Sequence, residues 1–124
     1  DFGKRLKSQY SCFENIELID PIYDIEILSV LRSSCSFYVH GHSAGGTNPS
    51  LVEMMHFRKA IFAFDCNYNR ASTEEKAQFF IDAKSLINLV NIPSSIDNAN
   101  SMKEIAERRY TWEIVKQQYF NLFD

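Results

Sequence analysis

A glycine pair, a capped helix start and one isolated carboxylate are the residues of this chain whose types and spacing point to shared chemistry. Gly45 and Gly46 let the main chain turn sharply and bring N–H groups close to a ligand. Asn48 reads as an N-cap and Pro49 as the first helical residue. A helix start that follows a strand and a glycine turn offers unpaired N–H groups and a positive dipole end, both suited to a phosphate or diphosphate. Within that helix Glu53 stands among Leu51, Val52, Met54 and Met55, where a charge is costly unless something pairs with it. Two readings of Glu53 stay open. Its carboxylate accepts hydrogen bonds from a ligand diol, or it is a partly exposed glutamate favoured by the nearby helix N-terminus.

Three other constellations are weaker. His40 and His42 lie two apart, on one face if the strand continues, and with Asp65 they imitate a metal site. The chain has three histidines and no third ligand at a helpful spacing, so no metal is expected. Gly41-His42-Ser43-Ala44-Gly45 matches the G-x-S-x-G form of a hydrolase elbow. That elbow sets its serine in the tight turn directly before the helix, whereas here Thr47, Asn48 and Pro49 intervene, and hydrolysis is set aside. Arg70, in a polar stretch from Cys66 to Ala71 read as a loop, either reaches a phosphate or is a plain surface arginine.

The elements that position these residues alternate strand, helix, strand. Cys35 to Val39 reads as a buried strand, Pro49 opens a helix, and Ala60 to Phe64 is the next strand, closed by Asp65 at the carboxyl edge where such sheets bind ligands. This pattern predicts parallel pairing with a right-handed crossover, hence an α/β fold with a Rossmann-like, mostly parallel sheet and flanking helices. Upstream, Phe2, Leu6 and Tyr10 space a first helix. Asn15 to Ile19 reads as a short strand, and Asp24 caps a helix whose Ile27, Leu28 and Leu31 should cover one sheet face. Downstream, Thr73 to Lys76 reads as a helical turn and Ala77 to Ile81 as a strand. Ser85 reads as the cap of a helix stopped by the turn from Asn91 to Ser95 at Pro93, and Ile96 to Arg109 as a helix. Thr111 caps a last helix whose Trp112, Val115, Tyr119 and Leu122 or Phe123 form one stripe, expected to be core.

GHSAGGTNPSLVEMM followed by KAIFAFDCNYNR resembles the nucleotide-sugar-binding segment of retaining glycosyltransferases of the two-domain GT-B type, and most closely a bacterial rhamnosyltransferase-like branch. In that family two glutamates lie eight positions apart, and the second, which matches Glu53, contacts the donor ribose hydroxyls. The first falls on Gly45 here, which implies that backbone groups of Gly45, Gly46 and Thr47 do more of the holding. The resemblance puts His40 to Ser43 along the donor pocket. The donor-binding set it implies is thus His42, Ser43, Gly45, Gly46, Thr47, Asn48 and Glu53, with no catalytic residue assigned. NIELIDPIYDIEILSVLRSSCSFYV and RRYTWEIVKQQYFNLF extend a weaker similarity over nearly all the chain.

The resemblance implies that residues 1–124 are a nucleotide-sugar-binding fragment, with the N-terminal acceptor domain and the first strands missing. The whole enzyme would be a hexosyltransferase of polysaccharide biosynthesis. It would move a sugar from a nucleotide-diphosphate donor to a saccharide or lipid-linked acceptor with retention, needing no cofactor beyond that donor. It would be cytoplasmic, or peripheral at the inner membrane. The fragment alone is expected to be inactive. Its closing helix would reach toward the absent domain with some apolar surface exposed. The missing neighbours would leave open strand edges, through which two copies form a homodimer unless Asn15–Ile19 and Cys35–Val39 pair side by side. The alternative is a non-catalytic nucleotide-binding or regulatory α/β module.

Composition narrows the field further. A net charge of −3 with scattered lysines and arginines argues against nucleic acid. No apolar stretch approaches the ~20 residues of a membrane span. Cys12, Cys35 and Cys66 are well separated and odd in number, which reads as reduced thiols of a cytoplasmic protein.

Overall fold

A computed structural model describes residues 1–92 and 98–123. The chain forms two compact units, one from Asp1 to Leu31 and one from Arg32 onward. In the first unit, helix α1 (Phe2–Tyr10) begins at Asp1, whose carboxylate accepts from the N–H of Gly3 at 3.1 Å. Lys7 is ion-paired to Asp20. The strand expected over Asn15–Ile19 does not form. The chain runs through turns there, with the Ile16 N–H donating to the Phe13 carbonyl at 3.1 Å, because alternating apolar residues make a strand only when another backbone pairs with them. Side-by-side pairing of that segment with Cys35–Val39 falls with it.

Helix α2 (Ile25–Ser34) starts where Asp24 was expected to cap it. The Asp24 carboxylate accepts from Glu26 and Ile27 N–H at 2.9 and 3.1 Å. Of its expected covering face Ile27 and Leu31 are exposed, and none of the helix residues is buried.

The second unit is α/β. Strands β1 (Phe37–His40), β2 (Ala60–Phe64) and β3 (Gln78–Phe80) form a parallel sheet in the order β1-β2-β3, Phe37 opposite Ala60 and Phe62 opposite Gln78. β1 therefore lies at an edge. It starts later than expected and takes in His40. β2 is central and reads AIFAF because both of its faces are covered. Ile61 and Ala63 face Leu51, Met54 and Met55 of α3 (Pro49–His56) and Met102, Ile105 and Ala106 of a later helix, α6 (Ala99–Arg109). On the opposite face Phe62, fully buried, meets the Phe37 ring edge-on at 5.3 Å.

Asn98 completes the ladder where β3 is too short. Its side chain accepts from the Ile61 N–H at 3.0 Å and donates to the Ile61 carbonyl at 2.9 Å, satisfying main-chain groups that precede the first β2–β3 pair.

Four expectations are corrected in the remaining connections. The polar stretch after β2 is helix α4 (Asn67–Ser72) rather than a loop. Thr73 to Lys76 is a turn with Glu74 and Glu75 at φ 48° and 59°, so the left-handed backbone excludes a helical turn there. Helix α5 (Ala83–Val90) is capped by Asp82, with Ser85 as the reciprocal partner three residues on. Helix α7 (Trp112–Phe120) is capped by Thr111 as expected, but its stripe is not core: Trp112, Tyr119, Leu122 and Phe123 are 84%, 64%, 76% and 86% exposed. The expected stop at Pro93 and the start at Ile96 lie outside the described residues. Among the described residues no helix is long and apolar enough to cross a membrane.

Candidate functional site

The eight residues from Gly41 to Asn48 join the carboxyl end of β1 to α3. Asn48 takes an extended conformation and its side chain accepts from the Ser50 N–H at 2.9 Å, while its carbonyl accepts from Leu51 and Val52, both at 3.1 Å. Pro49 has no N–H to offer. The first turn of α3 is thus satisfied internally, contrary to the expectation that its own N–H groups face a ligand. The uncommitted donors lie one step earlier. From Ser43 to Thr47 the main-chain N–H groups meet no acceptor among the described residues. Gly45, at φ +103°, supplies the left-handed turn on which this arrangement depends.

Helix α4 holds the loop in place. Asn69, only 3% exposed, donates its side-chain amide to the His42 carbonyl at 2.9 Å and to the Phe64 carbonyl at 2.8 Å, tying the loop to the end of β2. The Thr73 hydroxyl donates to the Asn69 carbonyl at 2.8 Å, and the Ser72 hydroxyl lies 3.4 Å from that of Thr47. Sequence reasoning missed Asn69 as a site-forming residue. Its one signal was an asparagine with a hydroxyl residue four positions on, both placed just after a strand.

The histidines of β1 and the loop stack, with ring centroids 4.8 Å apart. His40 is buried. Its Nδ1 lies 3.2 Å from the Tyr38 hydroxyl, and its Nε2 has no partner among the described residues. Burial, aided by the neighbouring His42, pulls His40 below its ordinary value of 6.5. Burial likewise raises the Tyr38 phenol, an effect opposed by the Arg32 cation. No group of three or more His, Cys, Asp and Glu side chains converges on a common point among the described residues.

Arg70 grips Asp65 with two hydrogen bonds of 2.6 and 2.8 Å and lies over the Phe79 ring at 4.4 Å. The bond from Arg70 holds the Asp65 carboxyl below its usual range. Arg70 is thus a partly exposed arginine committed to Asp65, and it stands on α4 rather than in a loop. Glu53 found its partner in Arg32, whose guanidinium lies 2.6 Å away. With its side chain 52% exposed, Glu53 is a partly exposed glutamate rather than a buried one.

The expected donor-binding residues divide between two clefts. Gly41, His42, Ser43 and Ala44 line one of about 470 Å³ together with Tyr38 and Val39. Thr47 lines the other, of about 370 Å³, with Pro49 and Val52 of α3 and Tyr110, Trp112 and Val115 of the α6–α7 corner. Gly45 and Gly46 fall between them in sequence, and Glu53 lines neither. No protein family, curated protein or solved structure matches the chain.

Proposed function

We propose that the unit from Arg32 onward binds the diphosphate of a nucleotide sugar on the Ser43–Thr47 loop, as the donor-binding part of a retaining glycosyltransferase. The observation that carries this reading is the run of uncommitted N–H groups turned by Gly45 at φ +103° and fixed at the carboxyl edge of a parallel sheet by Asn69. Phosphate oxygens are the acceptors such a run suits. In a transfer, the bond from the sugar's anomeric carbon to the phosphate oxygen breaks, the acceptor hydroxyl oxygen bonds to that carbon, and the hydroxyl proton is lost to the departing diphosphate or to water. Charge then grows on the departing diphosphate. Fixed N–H dipoles aimed at it lower the barrier without reorganising. The similarity of GHSAGGTNPSLVEMM to the retaining glycosyltransferase segment supplies the sugar and the nucleotide, and it gives Glu53 the ribose diol once Arg32 shares its carboxylate.

Amide NMR on the chain, titrated with nucleoside diphosphates, tests the reading. The expected result is saturable shifts concentrated on Ser43, Ala44, Gly45, Gly46 and Thr47. Unmoved loop amides at millimolar nucleotide would overturn it.

A further inference from the structure

Trp112 is the single tryptophan of the chain and stands 84% exposed beside the same loop. The cleft it lines shares Thr47 with the run of free N–H groups, so a ligand held by its diphosphate on that run reaches the cleft without leaving the surface. The walls decide what fits. Val52 and Val115 are aliphatic, and Trp112 offers a flat apolar face. The lining offers few hydrogen-bonding groups: the Tyr110 hydroxyl donates to the Ser72 carbonyl at 3.0 Å, while those of Thr47 and Thr111 accept from the Ser72 hydroxyl and the Ile114 N–H, both at 3.4 Å, and keep one O–H each to offer. A sugar ring placed there would give up its hydration with few partners in return, which is costly. A planar aromatic ring loses nothing comparable at its faces and gains stacking.

We infer that this cleft seats the nucleobase, flat against Trp112, while the diphosphate occupies the Ser43–Thr47 amides. The inference rests on the diphosphate reading above and adds where the ligand's aromatic end goes. It also orders the ligand along α3. Thr47, Pro49 and Val52 all line the cleft, so the base lies beside the first turn of the helix, next to the last residue of the amide run. The other cleft, lined by His42 and Ser43, is left for the sugar.

Because no other tryptophan contributes, its fluorescence reports this seat directly. The chain is titrated with inorganic pyrophosphate and with a set of purine and pyrimidine nucleoside diphosphates, reading Trp112 emission and the loop amides in parallel. Pyrophosphate should shift the amides and leave emission unchanged. At least one nucleoside diphosphate should do both with a single midpoint. Trp112→Ala, at a site too exposed to threaten folding, should weaken that nucleotide about tenfold and leave pyrophosphate unaffected, as loss of one base–aromatic stack requires. Amide shifts with unchanged emission and unaltered affinity in Trp112→Ala would sink the base seat while leaving the diphosphate reading standing. Quenching by a nucleotide sugar but by no bare nucleoside diphosphate would also overturn it, by placing the sugar in the cleft. Amides unmoved by every probe would remove both.

Discussion

Asn69 and His42 are joined by a 2.9 Å hydrogen bond from the side-chain amide of one to the main-chain carbonyl of the other, and this bond couples α4 to the loop that carries the free N–H groups. The second amide proton of Asn69 goes to Phe64, so one buried side chain ties the ends of two strands. Asn69→Ala removes both bonds and should cost about 2 kcal/mol, at roughly 1 kcal/mol per bond. Urea unfolding measures it, and a variant with an unshifted midpoint would show that the loop is held by other means.

Asn98 supports the sheet in the same manner from the other end. Asn98→Leu keeps much of the volume but leaves the Ile61 N–H and carbonyl unpaired in the interior. The expected loss is about 3 kcal/mol, with faster hydrogen exchange at Ile61. Retained protection at that amide would contradict the ladder role given to Asn98.

His40 should make stability depend on pH in a defined window. Its folded pKa lies below the ordinary 6.5 because burial disfavours the cation, so as pH falls through 6.5 the unfolded chain binds a proton that the folded chain refuses. Stability contributed by neutral His40 is present above that value. It drains away as pH falls toward the lower folded pKa, by at most about 1.4 kcal/mol per pH unit. Denaturant melts at a series of pH values should show this slope, and His40→Phe should be flatter. Equal slopes in the two chains would remove His40 as the source.

Glu53 and Arg32 form a pair open to solvent on the glutamate side, their side chains 52% and 25% exposed, and such pairs contribute little to folding. Arg32→Ala should therefore change stability by less than about 1 kcal/mol. Glu53→Ala should be similarly mild in stability, yet lower nucleotide affinity by about one to two decades if its carboxylate takes the ribose diol. Calorimetric titration separates the two effects, and undiminished affinity in Glu53→Ala would end the diol assignment.

The parts of the fold legible in the sequence were those with strong local signals. Asn48-Pro49 marked the start of α3, Asp24 that of α2, and AIFAF a strand buried on both faces. What failed depended on distant partners. Asn15–Ile19 had the alternation of a strand but no backbone beside it. NYNRAS had no apolar periodicity, because α4 is fixed by polar bonds through Asn69 and Thr73. The stripe on α7 had helical spacing, but spacing says which residues share a face and not what covers that face. For the site, the glycine turn was readable. The satisfaction of the first turn of α3 by Asn48, which moves the free donors back into the loop, follows from cap geometry that composition does not encode.

The order β1-β2-β3 also carries a consequence for the time course of folding. Each strand's neighbour is the next strand to leave the ribosome, so the sheet can extend at one edge in the direction of synthesis with no strand inserted between two already paired. The contact that finishes the central strand is made last. Until Asn98 emerges the leading end of β2 keeps an open amide and carbonyl at Ile61, and an arrested chain ending before α6 presents that opening, together with the part of the Ile61 and Ala63 face that α3 does not cover, to whatever chaperone or neighbouring chain is near.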